Sequence, residues 1–386
     1  MADTRNLNAA MLYYIFNSAN MHRWNDHFRV TDFTELDKQA HKAAIAWVLG
    51  KCEEDAGREV NWERIILHSL FSFIHRIAIT DLKPPLYYKI IAKKENEADL
   101  NKYAFREFHK LVPDMDPRFL EEFEHYLNSE HNTKEDNILR VAHYLATRYE
   151  FDMIYPFNQY SYDIEKTRTD IEGQVYAYMN LDLAGVERLK YRSDSLYGFI
   201  CMVGQLRCQQ RWARTPREPK TSVLGHSIFV AIAAYLNDRD QGVTGDRLYY
   251  DYYSGLFHDL PEVLTKDVIT PVKNLSIELP EDLGKIEEEM FEEKVKPLIP
   301  LEWYNELSVL ALNPFGSEDG YDRDPDAVKA CDQLAAWIEA FVSIRYGITS
   351  KTLREALEQT GESLRKGKGR RIGVERILED FENMEI

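Results

Sequence analysis

The sequence is short of the features that mark secreted, membrane-spanning or nucleic-acid-coating proteins. It has only four cysteines in 386 residues. Cys52, Cys201, Cys208 and Cys331 form no CxxC pair and stand in apolar, helix-like text, which argues against a disulfide framework and against a thiolate metal site. A reducing, cytoplasmic setting is expected. Long apolar runs are missing too: the longest, Ile228 to Leu236, falls far below the roughly 20 residues a membrane helix needs. The polar N-terminus carries no signal-peptide pattern. Basic residues are in deficit, with 48 Lys and Arg against 65 Asp and Glu and a net charge of −17. That balance favours solubility and excludes an extended nucleic-acid surface, while a small anion could still bind where the local charge reverses.

Alternation with period two is also scarce, and the apolar residues recur instead at three and four positions. Met11, Leu12, Ile15 and Phe16 make one helical face; Ile65, Ile66, Leu70 and Phe73 make another; Leu196, Phe199, Ile200, Val203 and Leu206 repeat the style. The predicted fold class is all-α. The chain also repeats itself. Arg23-Trp24, His41, Leu70 to Phe73, Asp81 and His143 are followed in the same order by Arg211-Trp212, His226, Leu256 to Asp259, Asp267 and Asp332. The offsets are 212 − 24 = 188, 226 − 41 = 185, 267 − 81 = 186 and 332 − 143 = 189. Two copies of one helical unit are therefore expected, residues 1–190 and 191–386. The copies differ where chemistry would reside: His258-Asp259 stands opposite Ser72-Phe73, Glu262 opposite Arg76, and Asp332 opposite His143.

Between these anchors, Glu95 to Asn101, Asn128 to Asp136 and Asn237 to Gly245 read as solvated faces or connections. Glu278 to Lys296 reads as an amphipathic surface helix, and Arg365 to Arg371 as an exposed basic turn.

The densest polar text is Leu256 to Lys273, where His258, Asp259, Glu262 and Asp267 fall among apolar residues. Its His258 and Asp259, with His226 and Asp332, offer two imidazoles and two carboxylates, a donor set suited to one divalent ion such as Mn, Co, Ni, Fe or Mg. Asp332 is the most telling member. Asp324-Pro325 should begin a helix as N-cap and first-turn proline, whose apolar stripe is Val328, Cys331, Ala335, Ile338 and Val342. Asp332 lies on or beside that stripe, where an ionised carboxylate costs several kcal/mol, in rough terms, unless compensated. Any of these residues alone has an ordinary structural explanation; the ordered set is what carries weight.

The order His226, His258-Asp259, Asp332 resembles the HD superfamily of metal-dependent phosphohydrolases. The local text, with Arg211-Trp212, Ser222 to Ser227, and His258-Asp259 through Glu262, Asp267, Thr270, Pro271 and Lys273, is similar to the 5′-deoxynucleotidase-like branch. The match covers about half of the chain, from near Ser195 to about Tyr346, and makes residues 1–190 a degenerate HD-like copy and 191–386 a catalytic one. The resemblance implies two tandem HD-like helical bundles and one divalent metal held by His226, His258, Asp259 and Asp332. Glu262 would position or deprotonate the attacking water, and Asp267 would contact the sugar or assist proton transfer. Arg211 would pair with the phosphate, Trp212 would shape the sugar pocket, and Asp267, Val268, Ile269, Thr270 and Lys273 would line the nucleoside side. The branch usually has an acidic residue immediately before its first histidine; here that position is Gly225.

The function expected from this resemblance is release of phosphate from (deoxy)nucleoside 5′-monophosphates. The alternatives are a deoxynucleoside triphosphohydrolase or phosphodiesterase of the same superfamily, and a non-catalytic nucleotide-binding regulator. The expected partner is a small nucleotide, with no membrane, and the two copies could pack as an internal pseudo-dimer or the chain as a homo-oligomer.

Overall fold

The fold is seen in a computed structural model that describes residues 4–80, 82–178, 181–266 and 279–385. Its framework is α-helical, and the strands named among the described residues are one short antiparallel pair, β1 (His22–Arg23) and β2 (Phe33–Thr34). In the first half, α1 (Ala9–Phe16), α2 (Glu35–Asp55), α3 (Trp62–Ile79) and α4 (Lys134–Ile154) carry the core. In the second half that role falls to α5 (Ser195–Gln205), α6 (Val223–Asp240), α7 (Asp246–Phe257), α8 (Pro325–Arg345), α9 (Lys351–Lys366) and α10 (Val374–Asn383).

Two helices, α2 and α6, pack against each other at the centre. Every residue of α6 from Val223 to Asp238 is buried, and so is every residue of α2 from Glu35 to Gly50. A helix buried on all sides needs no amphipathic stripe, so its ends are hard to read from periodicity. This explains two differences from the sequence reading. The helix that holds the apolar run Ile228 to Leu236 begins earlier, at Val223, because Ser222 is the N-cap and its hydroxyl accepts the Gly225 N–H. It then runs through Asn237 and Asp238, expected to be a polar connection, and both are buried.

Other boundaries agree with their local chemistry. Asp324 caps α8 by accepting from the Ala327 N–H, with Pro325 in the first turn, and Val328, Cys331, Ala335, Ile338 and Val342 are all buried. A helix spans Leu279–Val295, with Phe291 buried and Ile286 exposed. The segments Glu95 to Asn101 and Asn128 to Asp136, read as loops or faces, fall on the solvated helix Lys94–Leu111 and on the N-terminus of α4, closed by a Thr133–Asp136 capping box. The basic cluster after Arg365 is tied down in part, since Lys368 pairs with Asp326 at 2.7 Å and Arg371 with Asp324 at 3.4 Å.

The largest buried apolar cluster runs unbroken from Leu7 to Phe381 and draws on both halves. Trp47 shows how closely they mesh: its indole N–H donates to the Tyr249 hydroxyl at 2.8 Å, and its ring meets Phe199, Phe257 and Trp303 edge-on or tilted. At Gly255 a side chain would bring Cβ to 2.7 Å from the Ala231 backbone, so glycine is what lets α7 lie against α6.

The start of α8 is fixed by a buried acid group. Asp251 of α7 accepts the Asp324 N–H at 2.7 Å, and Asp238 of α6 lies beside it. Burial and mutual repulsion raise both carboxyls above their ordinary range. An acid with a raised folded pKa keeps its proton after the unfolded chain has lost it. The stabilisation is therefore complete below about pH 4 and is lost progressively as the pH rises toward about 9. Replacing Asp238 by Asn should raise the unfolding midpoint at about pH 8.5, by on the order of 1 kcal/mol, and leave it nearly unchanged at about pH 5. Thermal melts at the two pH values check this; an equal shift at both would rule out the proton-dependent contribution.

Candidate active site

The site lies where α6, the end of α7 and α8 meet. One N-terminal turn of α6 brings His226 inward, four residues after its cap. His258 is the C-cap of α7, and Asp259 follows it before Pro261, which has no N–H with which to continue the helix. Asp332 is presented by α8.

The polar atoms converge. His226 Nε2 is 3.0 Å from Asp332 Oδ1 and 4.0 Å from Asp259 Oδ2; His258 Nε2 is 3.2 Å from Asp259 Oδ2 and 3.8 Å from Asp332 Oδ1. Atoms bound to a common ion at about 2.1 Å lie roughly 3 to 4 Å apart, which is the spacing seen. The tautomer suits this too: His258 Nδ1 is 2.8 Å from the Gly255 carbonyl, so it donates there and leaves Nε2 facing the cluster. Burial and the nearby Arg211 charge lower the His226 pKa and keep that imidazole neutral, the form that ligates a metal. Burial disfavours a charged His258, but Asp259 and Asp332 outweigh it and raise that pKa. Of these groups, His226, His258 and Asp259 bring one donor atom each close enough together to hold a metal ion, and Asp332 borders them. Lys329 takes the outer oxygen of Asp332 at 2.7 Å.

Arg211 and Trp212 arrive from the turn before α6. Trp212 has a left-handed backbone, φ 56°. Its indole N–H donates to Glu339 Oε2 at 2.7 Å, while Arg211 spans from Glu339 to Asp259, 3.3 Å to each. Glu339, two turns after Asp332 on α8, is almost wholly buried and also faces Arg217 at 3.6 Å and His226 Nδ1 at 3.8 Å. Its carboxyl is held well below the ordinary range: burial opposes this, and Arg217 and Arg211 overcome it.

Glu262 does not continue the α7 helix. A turn through Pro261 intervenes, and Glu262 opens a new short helix, Glu262–Thr265, with its N–H donating to the Asp259 carbonyl at 3.1 Å. It remains close enough for its charge to act on Arg211. Asp267, Val268, Ile269, Thr270 and Lys273 lie outside the described residues.

The first half repeats part of this framework. His22 pairs with Thr34 as Gln210 pairs with Ser222, each 188 residues on. Trp24, φ 54°, donates to Glu150 Oε2 at 2.9 Å, and Arg23 bonds the same oxygen at 2.8 Å. Counted from the caps Thr34 and Ser222, the counterpart of His226 is Lys38 and not His41, as the sequence offset of 185 had it. Lys38 Nζ lies 3.1 and 3.2 Å from the two ring nitrogens of His143, which stands at the place of Asp332. His41 points elsewhere, to the Ile200 carbonyl and Arg207.

The same count puts Asp37 opposite Gly225, and the two meet: a Cβ on Gly225 would come within 2.8 Å of Asp37 Oδ1, which accepts a hydrogen bond from Ser222. The carboxylate absent from position 225 thus reaches the start of α6 from α2. A further group, His68, His131 and Asp136, also brings donor atoms together, but its carboxylate is engaged by Thr133 and Arg64 as well as by His68.

The family model described as 5′-deoxynucleotidase YfbR-like matches residues 198–381. The 5′-deoxynucleotidase of Shewanella oneidensis is 28% identical over 166 residues, covering 42% of this chain and 82% of that protein. The 5′-deoxynucleotidase YfbR of Escherichia coli O1:K1 is 26% identical over 169 residues, covering 41% and 80%. Among solved structures, an HD-domain phosphohydrolase from Listeria innocua aligns at 20% identity with a TM-score of 0.42, over 49% of this chain and 90% of that one.

Sequence reasoning missed Glu339 and Glu150, although a signal was there. Each lies seven residues beyond an anchor, Asp332 or His143, at the same offset of 189, and each is matched by an Arg-Trp pair. Replacing Glu339 by Ala leaves Arg211 and Arg217 without their shared buried counter-ion. The protein should lose about 3 to 5 kcal/mol of stability, measured by urea unfolding; a loss under about 1 kcal/mol would show that the carboxylate does not hold the turn.

Proposed function

We propose that the chain is a metal-dependent phosphohydrolase of nucleotides that releases phosphate from (deoxy)nucleoside 5′-monophosphates. The observation that carries this is the convergence of His226, His258, Asp259 and Asp332, with Arg211 anchored on the same Asp259. The names of the relatives, with 5′-deoxynucleotidases among them, support the substrate class.

In this reading His226, His258, Asp259 and Asp332 hold one divalent ion, with Mn, Co, Ni, Fe and Mg all compatible with the nitrogen and oxygen donors. When bound, such an ion neutralises phosphoryl charge and lowers the pKa of water. The chain supplies the rest. Arg211 offers a planar fork to the phosphate oxygens, with Glu339 fixing its base. Trp212, held in its left-handed turn, walls the sugar side. Glu262 takes a proton from the attacking water as the water oxygen bonds to phosphorus; the bond from phosphorus to the 5′ oxygen then breaks. That leaving oxygen must gain a proton, a role assigned to Asp267, with Val268, Ile269, Thr270 and Lys273 along the nucleoside. The products are a nucleoside and inorganic phosphate. No described helix is long and apolar enough to cross a membrane, and the four cysteines are free, which supports a cytoplasmic site of action.

Replacing Asp259 by Ala should remove both stoichiometric metal, read by elemental analysis, and phosphate release from a panel of deoxynucleoside monophosphates, by at least about 10³-fold. Retained turnover would overturn the assignment. Release of inorganic triphosphate from deoxynucleoside triphosphates, with monophosphates inert, would move the substrate to the triphosphate class. Arg211→Lys should mainly lower kcat/KM, by about 10- to 100-fold, with metal content intact.

A further inference from the structure

The first half keeps the Arg-Trp turn and its buried glutamate but fills the place of the metal ligands with cations. Lys38 stands where His226 stands, and Lys42, one turn further along α2, reaches the Ser72 hydroxyl at 2.6 Å. Arg76 replaces Glu262 in the sequence alignment and approaches Glu35 at 3.5 Å. Four cations, Arg23, Lys38, Lys42 and Arg76, thus gather around two carboxylates, Glu35 and Glu150. Arg23 already bonds both of these, Glu35 at 2.9 Å and Glu150 at 2.8 Å, and Arg207 adds a further cation on Glu150 at 3.0 Å.

Burial makes this excess costly. Lys38 and Lys42 are 2% and 3% exposed, and among the described residues no ion pair of either with a carboxylate is found within 4 Å. A buried ammonium without a counter-ion either loses its proton or acquires an anion. Burial does push both amines down, Lys42 to about 8, which marks a charge not balanced by the protein itself.

The cluster is not sealed. Arg76 keeps about a quarter of its side chain exposed, 26%, and Ser72 and His143 are half-buried. A ligand could therefore approach from the Arg76 side. In the second half the corresponding position is lined by acids and suits a divalent cation; in the first, fixed ammonium groups take the place of that charge. A site with the charge of a metal-loaded centre but no metal ligands is suited to a phosphate dianion.

We propose that residues Lys38, Lys42 and Arg76 of the first half form a metal-independent binding site for a phosphate monoester or phosphate dianion. Phosphate oxygens take the N–H donors of Arg76 and the two lysines, replacing the Lys38–His143 and Lys42–Ser72 contacts. Trp24 and Arg23 keep the wall of the site in the shape that Trp212 and Arg211 give the other half. The inference goes beyond the catalytic reading and does not require the second half to turn over substrate.

The test uses the full chain in EDTA, titrated calorimetrically with inorganic phosphate and, separately, with deoxyadenosine monophosphate. One equivalent should bind without metal, and Asp259→Ala should leave this binding intact. Arg76→Gln and Lys42→Met should each weaken it at least tenfold, while leaving metal content and second-half turnover unchanged. Arg76 is partly exposed, so its variant is expected to fold, and a thermal melt verifies each. Tighter binding of the monophosphate assigns the site to nucleotide; equal affinities assign it to phosphate itself, and either supports the proposal. Absence of metal-free binding, its survival in both variants, or its loss in Asp259→Ala would overturn it.

Discussion

The geometry of both halves depends on a buried carboxylate that receives an arginine and a tryptophan from one left-handed turn. Glu339 does this for Arg211 and Trp212, and Glu150 for Arg23 and Trp24. The bond closes a long loop: it ties the segment before a central helix to a helix more than a hundred residues later. An ionised carboxylate at 0 to 1% exposure would be intolerable alone. It persists because its two oxygens are shared among fixed N–H donors, and this multiplicity makes the turn rigid. Helix geometry then sets Asp332, which lies two turns before Glu339 on α8.

The second constraint is the contact of α2 with α6. Both helices are buried all round, so each half supplies the wall that the other lacks. Asp37 reaching Ser222 beside Gly225 is the clearest product of this arrangement. It ties the two halves together where α2 and α6 pack, so a change at either helix is felt at the start of the other.

Much of this was legible in the chain. The capping signals at Asp324-Pro325, the stripe of α8, and the His258-Asp259 pair closing α7 are local and follow from short-range chemistry. The likeness of the two halves was legible because Arg-Trp recurs at an offset of 188, with His41 and His226, and Asp81 and Asp267, at nearly the same spacing. What escaped was nonlocal. Glu339 and Glu150 look like ordinary helix-surface glutamates until their partners, over a hundred residues away, are known. The register of Lys38 against His226 escaped for a different reason: matching by residue type chose His41, whereas the fold aligns caps and hydrogen bonds. The extent of α6 escaped because a helix buried on every face has no moment to mark its ends.

Viewed through that register, the divergence of the copies is a change of charge sign at a fixed geometry. Around His226 the fold presents two carboxylates and two imidazoles, with Arg211 and Lys329 already on the carboxylates, a donor set whose buried negative charge favours a cation. Around Lys38 the same backbone presents ammonium and guanidinium groups, a set that is stable only if protons leave or an anion joins. Neither arrangement is favoured by packing, because an apolar side chain of similar size would cost less to bury at Lys38 or Lys42. A degenerate copy kept only as scaffold has no need of two lysines in its most buried helix. Their presence is what separates a spent site from one that binds a different ion.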